Sequence, residues 1–263
     1  MTAATPLFRG PGVALITLFD RDGTLLLQDT AAFAADLAAK GAAAVLVAGT
    51  TGEFWALTDD ERVDLVAAVR SALPRSVPVI AGVGAYTTTA AVALCGRVRE
   101  AGADAALAFV PHGEKPAEVY ARLRDTLGDL PLLAYHFPAA GYEPLDVEAL
   151  ADMGIDGIKD SSGEPARLLR TRPLLPAATY TGSALLVSLA AALQLPGALL
   201  ALSNVEPATA QAAWHGDLTA QGRLADLHAQ LAAEPPPVVL KRLVADRHGT
   251  PAWTRPRPAG AMG

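Results

Sequence analysis

The chain alternates throughout between short apolar runs and longer amphipathic segments. Runs that are apolar without alternation are typical of parallel strands covered on both faces, and the segments between them supply the covering helices. We predict strands at residues 13–19, 44–48, 79–83, 105–110, 132–135, 157–159, 178–181 and 198–202. Such a series of strand–helix units predicts a closed (β/α)8 barrel, the TIM barrel of the α/β class.

An open, doubly wound sheet is the alternative arrangement for this pattern. Gly82-Val83-Gly84 follows a predicted strand, but Thr87 stands where the dinucleotide-binding fingerprint needs its third glycine. The phosphate-loop motif GxxxxGK[ST] does not occur in the sequence either. We therefore expect the barrel in residues 1–206, a shortened C-terminal helical extension of the same domain in residues 207–250 and an extended tail in residues 251–263.

Helix signals stand between the predicted strands. Thr58-Asp59-Asp60-Glu61 forms the pattern of a capping box, which predicts a helix that begins at this point. Pro116 suits the first turn of a later helix, and Asp146 is a candidate cap for another one between the fifth and sixth strands.

The composition excludes several classes of protein. Although 51% of the residues are hydrophobic, Ser188 and Gln194 interrupt the apolar stretch at residues 184–195. That stretch is also shorter than the roughly 18 residues of a membrane span. The net charge of -6 argues against nucleic-acid binding, which needs a basic surface. The N-terminus lacks a secretory pattern and Cys95 has no partner for an internal disulfide, so we expect a cytoplasmic protein.

Polar residues follow the apolar runs at their carboxyl ends, where (β/α)8 barrels carry their active sites. These clusters are Gly49-Thr50-Thr51-Gly52-Glu53, Pro111-His112-Gly113, Tyr135-His136-Phe137-Pro138, Lys159-Asp160-Ser161-Ser162-Gly163, Thr181-Gly182-Ser183 and Ser203-Asn204. Because the carboxyl ends of parallel strands meet at one end of a barrel, the clusters predict a single functional site.

Lys159 is the most informative residue of these clusters. Lysine is scarce in the chain, and Lys159 ends a short apolar strand, which places its amine in the barrel mouth. A desolvated ammonium group has a lowered pKa and can act as a nucleophile toward a carbonyl carbon. The alternative is a lysine that forms an ion pair with Asp160 at the end of the strand.

Two further features have both a functional and a structural interpretation. The glycines and hydroxyls of Gly49-Thr50-Thr51-Gly52 can form a cradle for an oxyanion or carboxylate, although an ordinary turn has the same composition. Tyr135 can serve as a proton shuttle, although a tyrosine that ends a strand is often a packing residue.

Three motifs in order carry a resemblance to a known family. They are Gly49-Thr50-Thr51-Gly52-Glu53, Tyr135-x-x-Pro138 and Gly157-Ile158-Lys159-Asp160. The sequence resembles the dihydrodipicolinate synthase / N-acetylneuraminate lyase family over about residues 13–205. The resemblance implies a (β/α)8 barrel with a helical extension, which acts as a class I aldolase with no metal and no organic cofactor.

The resemblance also implies roles for individual residues. Lys159 would form a Schiff base with the ketone of pyruvate or another 2-oxo acid, and Tyr135 would protonate or deprotonate the departing or arriving oxygen. The residues implied to bind the substrate, as donors to its carboxylate or as the wall around the imine, are Gly49, Thr50, Thr51, Gly182, Ser183 and Leu199.

The turn after the fourth strand departs from the family pattern. Relatives carry a Pro-Tyr-Tyr type ending there, whereas this chain has Pro111-His112-Gly113. The second tyrosine, a member of a proton relay in the family, aligns with Gly113. We hypothesise that His112, with an ordinary pKa of about 6.5, takes part of that role as a third catalytic residue. The alternative is a surface histidine on a loop.

The acceptor side of the site also differs from the family. Ala140 stands where the synthase has an arginine for a second carboxylate, and Ala184 and Leu185 replace acidic residues that hold sugar hydroxyls in sialic-acid lyases. These changes predict a small or relatively apolar aldehyde as the second substrate or product. The alternatives are a 2-keto-3-deoxy sugar acid aldolase or dehydratase, and a catalytically impaired protein that binds a 2-oxo acid. The resemblance further implies a homo-oligomer, either a dimer or a tetramer.

Overall fold

A computed structural model describes residues 5–175, 178–231, 236–249 and 256–257. Its strands form a closed parallel barrel in which each strand pairs with the next one along the chain and β8 pairs with β1. The predicted (β/α)8 barrel is therefore confirmed. The strands are β1 (Gly10–Ala14), β2 (Val45–Val47), β3 (Val79–Gly82), β4 (Ala105–Ala108), β5 (Leu132–His136), β6 (Gly157–Asp160), β7 (Thr179–Thr181) and β8 (Gly197–Leu200).

Helices cover the outside of the barrel. The described helices are α1 (Leu27–Ala39), α2 (Asp59–Ala72), α3 (Thr88–Glu100), α4 (Pro116–Leu127), α5 (Pro165–Thr171), α6 (Val187–Ala192), α7 (Pro207–Trp214), α8 (Leu218–Leu231) and α9 (Pro236–His248). Helix α2 begins with the predicted capping box, in which Thr58 accepts from the amide of Glu61 and the Glu61 carboxylate accepts from the amide of Thr58. Pro116 opens α4, as predicted.

The first strand lies further toward the N-terminus than predicted. Residues 15–19 are as apolar and as buried as a strand, but they leave the sheet after Ala14. The amide of Leu15 still donates to the carbonyl of Leu46 in β2, but the amide of Ile16 donates to the Asn204 side chain and the amide of Leu18 donates to Thr30 Oγ1. This segment rises from the end of β1 toward the carboxyl rim of the barrel.

The predicted helix at Asp146 does not form. The structure describes every residue between β5 and β6, and this connection contains only short 3₁₀ turns at Pro138–Ala140 and Leu150–Asp152. The amide of Glu143 donates to the carbonyl of Val110, which ties the connection to the segment that follows β4. The chain is thus held across the carboxyl rim of the barrel instead of coiling into a helix.

Two apolar clusters make up most of the core. The larger one lies between the barrel and the helices, and the second one fills the inside of the barrel. Phe8, which precedes β1, stacks on Tyr180 of β7 with ring centroids 4.4 Å apart. Side chains of the inner cluster thus occupy the lower barrel, and the polar groups of the inward face lie toward the carboxyl ends.

Helices α7, α8 and α9 follow the barrel in the region where we predict the helical extension. Of the tail predicted at residues 251–263, only residues 256–257 belong to the described chain. Within the described ranges, no helix combines the length and the apolar character that crossing a bilayer requires.

Candidate active site

Lys159 and Tyr135 are neighbours on the inner face of the barrel. They are partners in the parallel register of β5 and β6, so they stand at the same height. The Nζ atom of Lys159 lies 4.5 Å from the centroid of the Tyr135 ring. Successive side chains of a strand point to opposite faces, so the next residues, His136 and Asp160, point outward.

The amine of Lys159 is buried without a counter-ion. The residue is 4% exposed, and within the described part of the chain it forms no hydrogen bond and no ion pair. Burial lowers the pKa of Lys159 to about 7, because an ammonium ion loses its hydration there without a carboxylate to replace it. A large fraction of the side chain is therefore the neutral amine, which is the nucleophilic form.

The alternative ion pair between Lys159 and Asp160 is wrong. The Asp160 carboxylate faces away from the barrel interior, where its Oδ2 accepts from Arg167 Nε at 2.6 Å. Its Oδ1 accepts from the amide of Ser162 at 2.9 Å. Because these donors occupy both carboxylate oxygens, Asp160 is a structural residue that fixes the end of β6.

Tyr135 is a buried phenol that remains protonated at neutral pH. Burial raises the pKa of Tyr135, and hydrogen bonds with the side chains of Ser161 and Thr50 oppose that rise only in part. The hydroxyl is thus a proton donor beside the amine of Lys159. Among the described residues, no group of three or more His, Cys, Asp or Glu side chains is arranged to hold a metal ion.

Gly182 forms the wall beside the lysine. A Cβ atom at this position would lie 1.9 Å from Ser161 Oγ and 3.0 Å from Lys159 Cε, so a larger residue would collide with Ser161 and crowd Lys159. Ser161 therefore also belongs to the site, although our prediction did not include it. The signal that could have identified Ser161 is its position two residues after Lys159, on the same face of the chain.

The threonine loop, residues 49–53, follows β2 at the rim. Among the described residues, the amides of Thr50 and Thr51 donate to no acceptor. The loop is bounded by left-handed backbone at Ala48 (φ 51°) and Glu53 (φ 56°), which turns it sharply. Adjacent free amides at a turn are a typical binding site for an anion, so the loop can receive a carboxylate.

The threonine loop is anchored by the segment that follows β1 and by residues near the C-terminus. Thr17 Oγ1 donates to the carbonyl of Gly52 at 2.7 Å. Glu53 is buried and forms an ion pair with Lys241 of α9. The second carboxylate oxygen of Glu53 accepts from the amide of Arg257 at 3.1 Å. Residues far along the chain thus hold this loop in place.

Tyr142 lies in the site, although our sequence analysis did not single it out. Its hydroxyl and Thr50 Oγ1 share a hydrogen bond of 2.7 Å. Its ring stacks on Phe109 with centroids 3.8 Å apart and an interplanar angle of 6°. Burial raises the pKa of Tyr142 to about 12, so this phenol is also protonated. Tyr142 stands in an irregular loop where neither periodicity nor a strand end marks it.

The structure does not bring every predicted residue into this group. His112 is 83% exposed and its Nδ1 lies 3.1 Å from Glu143 Oε2, so it has no contact that supports a relay role. Ser183 Oγ accepts from the amide of Leu185, which caps a 3₁₀ turn. Leu199 is fully buried in the apolar cluster inside the barrel.

A narrow cavity opens at the carboxyl end of the barrel. Its volume is about 10 Å³, which is the room that one water needs. The residues that line it are Ala48, Gly49, Thr50, Phe54, Gly82, Gly84, Leu107, Phe109 and Tyr135. Except for Thr50 and the Tyr135 hydroxyl, the lining side chains are apolar.

The model that describes the dihydrodipicolinate synthetase family matches residues 7–258 of this chain. The 4-hydroxy-tetrahydrodipicolinate synthase of Corynebacterium urealyticum is 31% identical over 179 residues, which are 65% of this chain and 59% of that protein. The match thus spans less than two thirds of that relative's length. The synthase of the same name from Rhodopseudomonas palustris is 31% identical over 252 residues, covering 89% of this chain and 84% of that protein.

The fold is also similar to solved structures. The chloride-inhibited dihydrodipicolinate synthase from Acinetobacter baumannii, solved in complex with pyruvate, superposes with a TM-score of 0.80. It is 25% identical in sequence, and the superposition covers 89% of this chain and 87% of that one.

Proposed function

Because the chain belongs to the dihydrodipicolinate synthetase family, we propose that it is a class I lyase or aldolase that forms a Schiff base with pyruvate or another 2-oxo acid. The observation that carries the proposal is the buried amine of Lys159, which has no carboxylate partner among the described residues and stands beside the Tyr135 phenol. An amine in this position has the protonation state that attack on a ketone requires.

The proposed chemistry follows from these groups. The neutral amine of Lys159 attacks the ketone carbon, and loss of water gives an imine. The protonated imine withdraws electrons, so a C–C or C–O bond at the neighbouring carbon can break or form. Tyr135 exchanges a proton with the oxygen that departs or arrives, which contributes roughly 10²- to 10⁴-fold to the rate. This chemistry needs neither a metal nor an organic cofactor.

The threonine loop is the proposed site for the carboxylate of the 2-oxo acid. The free amides of Thr50 and Thr51 can donate to its oxygens, which would orient the neighbouring ketone toward Lys159. Gly182 supports this assignment because the space that it leaves beside Lys159 Cε is the space that an imine needs.

The second substrate or product is proposed to be a small or relatively apolar aldehyde. The stacked rings of Phe109 and Tyr142 and the side chain of Ala140 belong to one apolar cluster near the site. Ala184 and Leu185, at the positions that we compared with sugar-binding residues, have no side-chain hydrogen-bonding groups.

Borohydride trapping tests the Schiff base. Wild-type protein is incubated with pyruvate and borohydride, and the adduct is measured by intact mass and located by peptide mapping. We expect one adduct, on Lys159, which is lost in Lys159→Met and retained in Lys115→Met, where the substituted lysine is exposed. No adduct with pyruvate or with a panel of other 2-oxo acids, or an adduct that survives in Lys159→Met, contradicts the proposal.

A turnover screen tests the second substrate. The trapped 2-oxo acid is supplied with small apolar aldehydes, and 2-keto-3-deoxy sugar acids are supplied separately. We expect C–C bond chemistry with the apolar aldehydes. A preference for the sugar acids would favour the aldolase or dehydratase alternative, and trapping without turnover would favour a protein that only binds a 2-oxo acid.

We also propose that the protein is a cytoplasmic homo-oligomer. Large apolar side chains with more than half of their surface exposed support self-association: Tyr86 (74%), Leu169 (53%) and Leu218 (76%). Contacts between copies of the chain would remove such side chains from water, which favours association. Light scattering after size exclusion is expected to give the mass of a dimer or a tetramer, and the mass of one chain contradicts this proposal.

A further inference from the structure

A chain of hydroxyl groups runs from the interior of the barrel to its rim. Thr50 Oγ1 lies 2.7 Å from the Tyr142 hydroxyl, and the Thr50 side chain is also a hydrogen-bonding partner of Tyr135. The rings of Tyr135 and Tyr142 have centroids 5.8 Å apart. Because a hydroxyl both donates and accepts, Thr50 can pass a proton between the two phenols.

We propose that Tyr142 is a positioning residue that acts through Thr50 on Tyr135, as the outer member of a proton relay. In this role Tyr142 replaces the second tyrosine of the family pattern, whose position is occupied by Gly113 in this chain. The inference rests on the proposed Schiff-base function and adds to it a residue outside the motifs that define the resemblance.

Proton transfer along this row of hydroxyl groups is balanced. When Tyr135 gives its proton to the departing oxygen, the Thr50 hydroxyl gives its proton to the Tyr135 oxygen. Tyr142 then gives its proton to the Thr50 oxygen and takes one from a water at the rim, and the hydroxide left by that water passes into the solvent. Each of the three side-chain oxygens breaks one O–H bond and forms another, and the reverse sequence removes a proton from an arriving group.

The ring of Tyr142 is fixed by its aromatic neighbour. It lies flat on Phe109, which is itself pressed against Gly84. A Cβ atom at Gly84 would lie 2.3 Å from Phe109 Cδ1, so glycine is required for this arrangement. Packing of the ring thus holds the Tyr142 hydroxyl at hydrogen-bonding distance from Thr50.

The turn that lacks the family tyrosine holds the segment that carries Tyr142. The amide of Gly113 donates to Glu143 Oε2 at 2.8 Å, and His112 Nδ1 lies 3.1 Å from the same oxygen. The amide of Glu143 donates to the carbonyl of Val110 at 3.0 Å. These contacts give His112 a supporting role in place of the catalytic role that we hypothesised.

His136 fixes the other side of the same segment. Its Nδ1 accepts from the amide of Leu145 at 3.1 Å, which requires the neutral ring. Burial and the nearby Arg167 guanidinium together lower the pKa of His136 to about 4. His136 therefore remains an acceptor at neutral pH, and the segment that follows Tyr142 is held at both Glu143 and Leu145.

The test measures how fast the imine forms. Pyruvate is mixed rapidly with the protein, borohydride is added after increasing delays, and the Lys159 adduct is quantified by mass. Tyr142→Phe keeps the stacked ring and removes the hydroxyl. We expect the same final amount of adduct, a rate at least about tenfold lower because proton transfer is impaired, and a half-saturating pyruvate concentration that changes less than about twofold.

Control variants separate the relay from a structural role. Tyr86→Phe removes an exposed phenol hydroxyl from the barrel mouth and should keep the wild-type rate. Thr50→Ser keeps the middle hydroxyl and should retain most of the rate. If Tyr142 acts through Tyr135, adding Tyr142→Phe to Tyr135→Phe should slow the reaction no further.

The outcomes are distinguishable. A wild-type rate in Tyr142→Phe, or additive effects in the double variant, overturns the relay and leaves the Schiff-base function standing. A loss of final adduct with an unchanged rate would show a binding role and also overturns the relay. The absence of any adduct in the wild type overturns the proposed function, and the relay with it.

Discussion

The buried lysines Lys159 and Lys241 both lie against an aromatic ring, and they differ in whether a carboxylate faces the amine. Each has a fully or almost fully buried side chain. The Nζ atom of Lys159 lies 4.5 Å from the ring centroid of Tyr135, and that of Lys241 lies 4.6 Å from the ring centroid of Phe19. Lys241 also faces a carboxylate, that of Glu53, whereas Lys159 faces none among the described residues.

The carboxylate decides what each lysine can do. Burial lowers the pKa of both side chains, but Glu53 raises the pKa of Lys241 back toward its ordinary range. Lys241 is therefore a cation that anchors the threonine loop, and Lys159 is an amine available for chemistry. Burial and an aromatic neighbour do not by themselves make a lysine a nucleophile.

The largest expected effect is on stability when the pair is broken. Lys241→Met leaves the buried carboxylate of Glu53 without its lysine and should lower the free energy of unfolding by about 3–5 kcal/mol. Urea denaturation measures this loss, and Lys115→Met, an exposed substitution, should change it by less than about 0.5 kcal/mol. If the two variants were equally stable, the ion pair would not be the anchor that we describe.

The same substitution at Lys159 should change the free energy of unfolding in the opposite direction. Lys159→Met removes a buried amine that has no counter-ion and should raise the free energy of unfolding at pH 7 by about 1–4 kcal/mol. The pKa of Lys159 is about 7 in the folded protein, below the ordinary 10.5, so the unfolded chain binds more protons between these values. The free energy of unfolding of the wild type therefore rises with pH in this window. The difference in free energy of unfolding between Lys159→Met and the wild type should shrink between pH 7 and pH 9.5. If Lys159→Met were less stable than the wild type, the amine of Lys159 would not be an uncompensated buried group.

Trapping by borohydride should follow the protonation of Lys159. The initial rate should rise about tenfold per pH unit below the pKa and level off above about pH 7, because only the neutral amine attacks the ketone. A rate measurement from pH 5 to pH 9 at saturating pyruvate tests this profile. A plateau reached only near pH 10 would mean that Lys159 has the pKa of an ordinary lysine.

The smallest predicted effect comes from making Lys159 resemble Lys241. Ser161 lies against the same wall as Lys159, so Ser161→Asp places a carboxylate near the amine. A nearby opposite charge should move the midpoint of the trapping profile upward by about 1–2 pH units. Ser161→Asn has a similar shape without the charge, so it should leave the midpoint unchanged, and equal shifts in both variants would rule out electrostatics as the cause.

Hydropathy predicted the barrel because every strand in it is covered on both faces. It misplaced β1 because residues 15–19 are as apolar as a strand yet leave the sheet, with the amides of Ile16 and Leu18 bonded to side chains. An apolar run thus predicts that a segment is buried, but it does not distinguish a paired strand from a buried segment outside the sheet. The connection that carries Tyr142 was equally beyond local prediction, because contacts with the segment after β4 determine its path.

The residues of the candidate site and its support fall into two groups for a physical reason. Lys159 and Tyr135 end neighbouring strands, so the barrel register alone brings them together. Tyr142 and Lys241 reach the site through the path of a loop and the return of a helix, which no local pattern encodes. Sequence reasoning thus found the residues that the sheet positions and missed those that loops and α9 bring in.

The ion pair between Glu53 and Lys241 sets an order of events for a newly synthesised chain. The ribosome releases Glu53 early and Lys241 only after the whole barrel has been translated. Until Lys241 emerges, burying the carboxylate alone would cost several kcal/mol, so the loop beside it stays open to water. The nascent protein therefore completes the threonine loop only when α9 arrives.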